Sequence, residues 1–258
     1  MKKILCLFSA LTMVLMSSCS SDDSSDGGSA TLLPTKIVET TVENSKPGSL
    51  TYTITYDGNK LKEIAGSDAA RSVYTYTGDL ITKVEFYVSG SLYYTDVYAY
   101  EGGKLASKIT TAESNKTTQQ KLTFVYNANG TVTSKSSAVV NKVEIPYDGT
   151  VTYTFSNGNL VSTEYADDAK EIITSTFDDK KSPFSNITGV KLLLDLDDNF
   201  DFSSVNNTLK NVTVTYDSDG KITQTATVTT TNKYNDSNFL TESFAGDAKD
   251  SEKLEITY

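Results

Sequence analysis

The chain has 258 residues, 23 basic and 33 acidic, with no histidine, no tryptophan and two cysteines, for a formal charge of −10. Lacking histidine and nearly lacking thiol, it cannot carry Ser-His-Asp or Cys-His nucleophilic systems, or zinc and copper sites built on imidazole or thiolate. Its acidity argues against a nucleic-acid partner, which needs a basic face to displace counterions. The length suits one domain with a substantial core, or at most two small ones.

Lys2 and Lys3 precede an apolar run over residues 4–16. That run is too short to cross a hydrocarbon core of about 30 Å as a helix, so it reads as a signal peptide rather than an anchor helix. Leu15, Met16, Ser17, Ser18 and Cys19 resemble a bacterial lipobox, with Met16 where leucine is usual. The resemblance implies that residues 1–18 are removed and that Cys19 becomes an acylated N-terminus. The other cysteine, Cys6, falls inside the signal, so a mature chain would hold no disulfide partner. Acyl chains add about 0.8 kcal/mol per buried CH₂, and two or three of them hold a protein firmly to a membrane. Losing Lys2 and Lys3 leaves 21 basic against 33 acidic residues, a charge of −12.

Residues 19–34 open with "CSSDDSSDGGS", which has no apolar surface to repay ordering and reads as a flexible tether. Such tethers resemble those of Bacteroidetes lipoproteins, where an acidic patch after the cysteine accompanies export to the outer face of the outer membrane. Asp22 and Asp23 would be that patch. The resemblance implies an outer-membrane, lipid-anchored and surface-exposed location, with the periplasmic face as the alternative.

From residue 35 to 258 the sequence repeats itself. "ITYDGNKL" (54–61), "YTYTGDLI" (74–81), "YAYEGGKL" (98–105), "FVYNANGTV" (124–132), "YTFSNGNL" (153–160) and "VTYDSDGKI" (214–222) share one plan: apolar, spacer, aromatic, a turn with glycine, aliphatic. The aromatics Tyr56, Tyr76, Tyr100, Tyr126, Phe155 and Tyr216 stand 20, 24, 26, 29 and 61 residues apart. Each of the first four spacings fits two strands and their turns; the last holds an irregular insertion. Alternation supports strands. Leu50, Tyr52, Ile54 and Tyr56 fall opposite Thr51, Thr53 and Thr55; Leu80, Val84, Phe86 and Val88 fall opposite Lys83 and Glu85; Leu254, Ile256 and Tyr258 fall opposite Lys253, Glu255 and Thr257. Gly58, Gly78, Gly102, Gly130, Gly158, Gly220 and the pair Ser89–Gly90 occupy the expected turns.

Short links make neighbouring strands antiparallel. The expected fold is all-β: a long antiparallel meander of β-hairpins, rolled by its accumulated twist into a barrel or a strongly curved half-barrel, with a short non-repeat insertion near 180–207. Only one face alternates apolar, whereas a transmembrane barrel needs an apolar lipid-facing band with aromatic girdles, so the pattern favours a barrel in water. The repeat unit resembles the YD repeats of bacterial wall and toxin proteins. With the lipobox and tether, and "FDDKKSPFSNI" at 177–187, the chain resembles a Bacteroidetes outer-membrane lipoprotein family of unknown function with a porin-like fold. The resemblance implies a fold and supplies no catalytic residue.

Without imidazole or thiol, an enzyme would depend on carboxylates. A polysaccharide hydrolase could use two of them at about 5 to 9.5 Å, but pairs such as Asp167 with Asp168, and Asp178 with Asp179, read as turn residues. In "DLDDNFD", Asp195, Asp197, Asn199 and Asp201 alternate like calcium ligands, yet Phe200 stands where a calcium loop needs glycine and Asn206 where it needs glutamate. "DSDG" at 217–220 is the turn of a repeat. The tyrosines invite a carbohydrate reading, and Tyr87, Tyr93 and Tyr94 form a candidate exposed cluster, but most fall where a core is expected. The insertion, with Pro183, Phe184 and "VKLLLDL", is the segment expected to plug or cap the barrel. The sequence therefore points to a non-enzymatic binding or accessory component of the cell envelope, held to a membrane through Cys19. A polysaccharide or an envelope protein is its candidate partner, and no cofactor is expected. A carboxylate hydrolase and a carrier of apolar ligands are the alternatives.

Overall fold

A computed structural model of the chain describes residues 31–167, 169–194 and 202–258. Cys19, the tether to Ala30 and the run Asp195, Asp197, Asn199 and Asp201 lie outside the described residues, as does Asp168. Thr31–Tyr258 forms one compact unit.

The strands follow in chain order. The first nine are β1 (Lys36–Glu43), β2 (Lys46–Asp57), β3 (Lys60–Gly66), β4 (Ala70–Thr77), β5 (Leu80–Val88), β6 (Ser91–Glu101), β7 (Lys104–Ala112), β8 (Asn115–Tyr126) and β9 (Val132–Val140). There follow β10 (Val143–Pro146), β11 (Thr150–Ser156), β12 (Asn159–Ala166), β13 (Lys170–Phe177), β14 (Thr208–Tyr216), β15 (Ile222–Tyr234), β16 (Leu240–Gly246) and β17 (Ser251–Thr257). Each pairs antiparallel with the next, except that β10 and β11 both pair with β9, and β1 also pairs with β17, Ile37 opposite Ile256. The meander is therefore a closed barrel rather than an open half-barrel. β10 and β11 lie end to end along one flank of β9, so the ring has sixteen places. Closure leaves no ladder edge around the ring to recruit other chains.

Turn chemistry fixes the hairpins. Ser89 and Gly90 both take positive φ, 49° and 81°, as a two-residue hairpin loop requires. Below four of the repeat aromatics at one end of the barrel the register shifts by one residue: Tyr76 faces Ile81 but Thr75 faces Lys83, and the same step recurs at Tyr56–Leu61, Tyr100–Leu105 and Phe155–Leu160, while Tyr126 faces Val132 in unbroken register. The bulge turns both the aromatic and the aliphatic of a repeat inward. It also corrects the simple alternation across "LITKVEFYV": Ile81, not Leu80, is the fully buried residue, at 0% exposure.

The inward face carries Ile37, Tyr52, Ile54, Leu61, Tyr74, Ile81, Val84, Tyr98, Leu105 and Phe124, all buried. Burying each such side chain stabilises by about 1.5–3 kcal/mol. The outward face is threonine with cross-strand ion pairs: Arg71 to Glu63 at 2.8 Å, Lys170 to Glu164 at 2.8 Å and Lys253 to Glu242 at 3.5 Å. This polarity is the reverse of a transmembrane barrel, whose outside is apolar and whose lumen is polar.

The repeat aromatics cluster at one end of the barrel. Tyr216 is the exception. Its hairpin turns at the opposite end, and it lies on the other face from Thr215, whose hydroxyl donates inward to Glu171 at 3.4 Å. Tyr234, with Leu240 across the turn, takes the place in the core expected of the sixth motif. The motif alone could not distinguish the two ends, because a hairpin turn has the same local chemistry at either.

Candidate ligand cavity beneath the plug

The insertion closes the aromatic end. Phe184, Ile187, Val190, Leu193, Leu194 and Phe202 are buried in the barrel core, with the Phe184 and Phe202 rings edge to face at 4.8 Å. Its backbone is bonded to the hairpin turns that rim that end. The Thr188 amide donates to the Asn59 carbonyl at 2.9 Å, the Val205 amide to Gly158 at 3.2 Å and the Lys181 amide to Asn238 at 2.9 Å. Asn159 Oδ1 accepts from the Val205 and Asn206 amides at 3.1 and 2.9 Å, and Asn186 Nδ2 donates to the Leu32 carbonyl at 2.9 Å. The segment is a plug, as its position in the sequence suggested.

Asp178 anchors the start of the plug. Its carboxylate accepts from the Asn207 and Lys180 amides and from the Tyr234 hydroxyl. Burial and this carboxylate push the Tyr234 phenol up to about 12. Asp179 is an exposed neighbour paired with Lys180 at 3.1 Å. The pair Asp178 with Asp179 is thus a structural turn, as the sequence suggested. Asp217 Oδ1 caps its own turn by accepting from the Asp219 and Lys221 amides at 3.1 and 2.9 Å. Among the described residues no group of three histidine, cysteine or acidic side chains could hold a metal ion.

The interior is not solid. A cavity of about 250 Å³ lies under the plug against β14–β17 and β1. Its walls are Ile37, Phe184, Leu240, Leu254 and Ile256 on the apolar side, and Asn211, Thr230, Asn232, Ser243 and Glu252 on the polar side. A second space of about 190 Å³ sits against the opposite wall, near Ser136, Gly149 and Tyr165, with Asp167 at its rim.

Charge within the barrel is uneven. Asp96 and Lys108 are both 6% exposed and face each other at 3.9 Å, and Thr110 donates its hydroxyl to Asp96. Glu39, Glu171 and Glu252 also stand on inward positions. Tyr52 donates its hydroxyl to Glu39 at 2.9 Å. Glu252 is exposed at the mouth of the cavity, yet partial burial, and then the charge of Glu39, hold its carboxyl above the usual carboxylate range. Sequence reasoning missed Glu39 and Glu252. They lie on the first and last strands, and only closure of the ring brings them side by side.

The proposed tyrosine cluster forms in part. Tyr93, 60% exposed, meets Tyr94 edge to face at 6.2 Å, and both rings touch Phe86, Tyr94 stacking on it at 4.9 Å, while Tyr87 lies under Arg71 at 4.2 Å.

No family model matches the sequence, and no curated protein matches it. Among solved structures, a porin-like protein from Bacteroides uniformis is 13% identical, with a TM-score of 0.53 over 87% of this chain and 97% of that one. The fold is porin-like. At that identity the likeness speaks for the barrel alone, and it agrees with the porin-like architecture that the repeats resemble. A TcdB2-TccC3-Cdc42 structure is 12% identical over 81% of this chain and 13% of that one, but its TM-score of 0.19 is too low to bear on the fold.

Proposed function

We propose that the chain is a lipid-anchored, non-enzymatic protein of the bacterial outer membrane whose barrel serves as a binding module in the cell envelope. In this reading residues 1–18 are a lipoprotein signal peptide, Cys19 carries the lipid, residues 19–34 are the tether and residues 35–258 are the barrel. The observation that carries it is the polarity of the closed sheet: charged pairs and threonines outside, aromatics and aliphatics inside. Each lysine or arginine placed in mid-bilayer on such a wall costs about 2–4 kcal/mol, so a barrel of this kind reaches a membrane through an attached anchor. The lipobox supplies the anchor, and Asp22 and Asp23 supply the surface-export signal. A polysaccharide or an envelope protein is the partner class. Cys19→Ala tests the reading. The wild type should incorporate radiolabelled palmitate and sediment with membranes, and the variant should do neither; a variant that stays membrane-bound overturns the lipid anchor.

One observation favours a second reading, a carboxylate hydrolase. Glu252, in the cavity wall, has a raised carboxyl pKa, and a second acid, Glu39 on the neighbouring strand, contributes to that shift, which is how paired carboxylates divide acid and base roles. Release of reducing ends from envelope polysaccharide by the wild type, and its loss in Glu39→Gln, would establish it; no release over prolonged incubation would remove it.

A further inference from the structure

The cavity beneath the plug has a definite chemical bias. One side is hydrocarbon, from Ile37, Leu240, Leu254 and Ile256. The other is short of donors rather than acceptors: Asn211 Oδ1 and Asn232 Oδ1 are buried without a hydrogen-bond partner. The Asn232 amide is held in that orientation, since its Nδ2 donates to the Thr208 carbonyl at 3.1 Å. The lining includes no lysine or arginine. Lys253, next to Glu252 in sequence, faces outward to Glu242 and Glu255. Among the described residues, Lys108 is the one buried base, and it sits on β7 against Asp96. The cavity thus presents a carboxyl with a second carboxylate nearby, and among the described residues no lysine or arginine pairs with either.

We propose that this cavity binds a small amphiphilic organic cation, its ammonium head at Glu252 and its hydrocarbon body against Ile37, Leu240, Leu254 and Ile256. The assignment rests on the reading of the barrel as a binding module. An anion would add to the repulsion between Glu39 and Glu252. A neutral alcohol fills the apolar side but leaves that repulsion in place. An ammonium group relieves it and donates up to three hydrogen bonds into an acceptor-rich wall. The volume, about eight waters at roughly 30 Å³ each, suits a ring of six carbons with one polar substituent.

Calorimetric titration of the full chain with cyclohexylammonium, cyclohexanol and cyclohexanecarboxylate at neutral pH tests the assignment. The ammonium should bind at least tenfold more tightly than the alcohol, and the carboxylate should not bind. Glu252→Gln should bring the ammonium down to the affinity of the alcohol while leaving the alcohol unchanged. Ser243→Leu, which fills the cavity, should abolish both, with an unaltered circular dichroism spectrum as the control for folding. Equal affinities for ammonium and alcohol, or an undiminished ammonium affinity in Glu252→Gln, overturn the cation assignment; alcohol binding that Ser243→Leu removes would then leave the binding-module reading standing. No binding by any of the three overturns the assignment as well, independently of whether palmitate labels Cys19.

Discussion

The Tyr100 hydroxyl donates to the Ile81 carbonyl at 2.7 Å, tying the aromatic of one hairpin to the aliphatic of the hairpin before it. The pattern repeats around the ring. The Leu61 amide donates to the Tyr76 hydroxyl at 3.1 Å, and the Tyr258 hydroxyl donates to the Leu240 carbonyl at 2.7 Å. Tyr76 extends the ladder into the plug by donating to the Thr188 carbonyl at 3.0 Å. The repeat therefore encodes contacts between neighbouring hairpins as well as the hairpins themselves. Tyr100→Phe keeps the ring but leaves the Ile81 carbonyl without this partner. Its expected cost is about 1–2 kcal/mol, measured as a lower urea midpoint at unchanged m-value. No change in midpoint would show that the ladder contributes nothing to stability.

Alkali should act on the same ladder. Burial raises the phenols of Tyr76 and Tyr100 from 10.0 to about 12, and those of Tyr56, Tyr126 and Tyr258 in the same direction. A raised folded-state pKa means that the neutral phenol is favoured by folding. Its contribution is complete below pH 10 and is lost as pH rises toward 12. Phenolate absorbance should rise in a late cooperative step that coincides with loss of the near-ultraviolet circular dichroism signal. A phenolate transition completed while that signal persists would contradict the ladder.

The plug depends on one glycine. Gly189 has φ 82°, and a Cβ there would lie 2.6 Å from the Asp79 carbonyl oxygen and 3.3 Å from the Tyr76 ring. The neighbouring Thr188 amide and carbonyl make the bonds to Asn59 and Tyr76. Gly189→Ala combines left-handed backbone strain of about 1–2 kcal/mol with a clash against backbone that cannot rotate away. The expected result is a loss of at least about 2 kcal/mol and faster proteolysis within residues 180–207. Wild-type stability and protease resistance would mean that the plug does not close on this turn.

Much of this was legible in the sequence, and the reasons are local. Alternation across Leu50, Tyr52, Ile54 and Tyr56 gives the strand and its inward face, and glycine-bearing turns give the hairpins. The break of the repeat near residue 180 gives the plug. What local pattern cannot supply is anything set by register or closure. The bulge that buries Ile81 instead of Leu80 follows from pairing with Tyr76, and the outward placement of Tyr216 follows from which end its hairpin reaches. Glu39 and Glu252 are brought together only because β1 pairs with β17. The cavity was least visible of all, since its walls come from β1, four consecutive strands near the end of the chain and the plug.

Asp96 and Lys108 are the charged pair on which the interior near β6 and β7 turns. Both are buried, at a separation of 3.9 Å, with Thr110 bonded to the carboxylate. Taking two charges out of water is costly, so the pair as a whole adds little to stability, but removing one partner takes a buried counter-charge away from the other. Lys108→Met keeps most of the side-chain volume and removes the ammonium. The expected loss is about 3–5 kcal/mol. Adding Asp96→Asn should recover most of it, because a neutral amide can still accept from the Thr110 hydroxyl and carries no charge to desolvate. Urea denaturation of the two single variants and the double variant at neutral pH reads the coupling directly. If the two losses simply add, the carboxylate and the ammonium do not depend on each other.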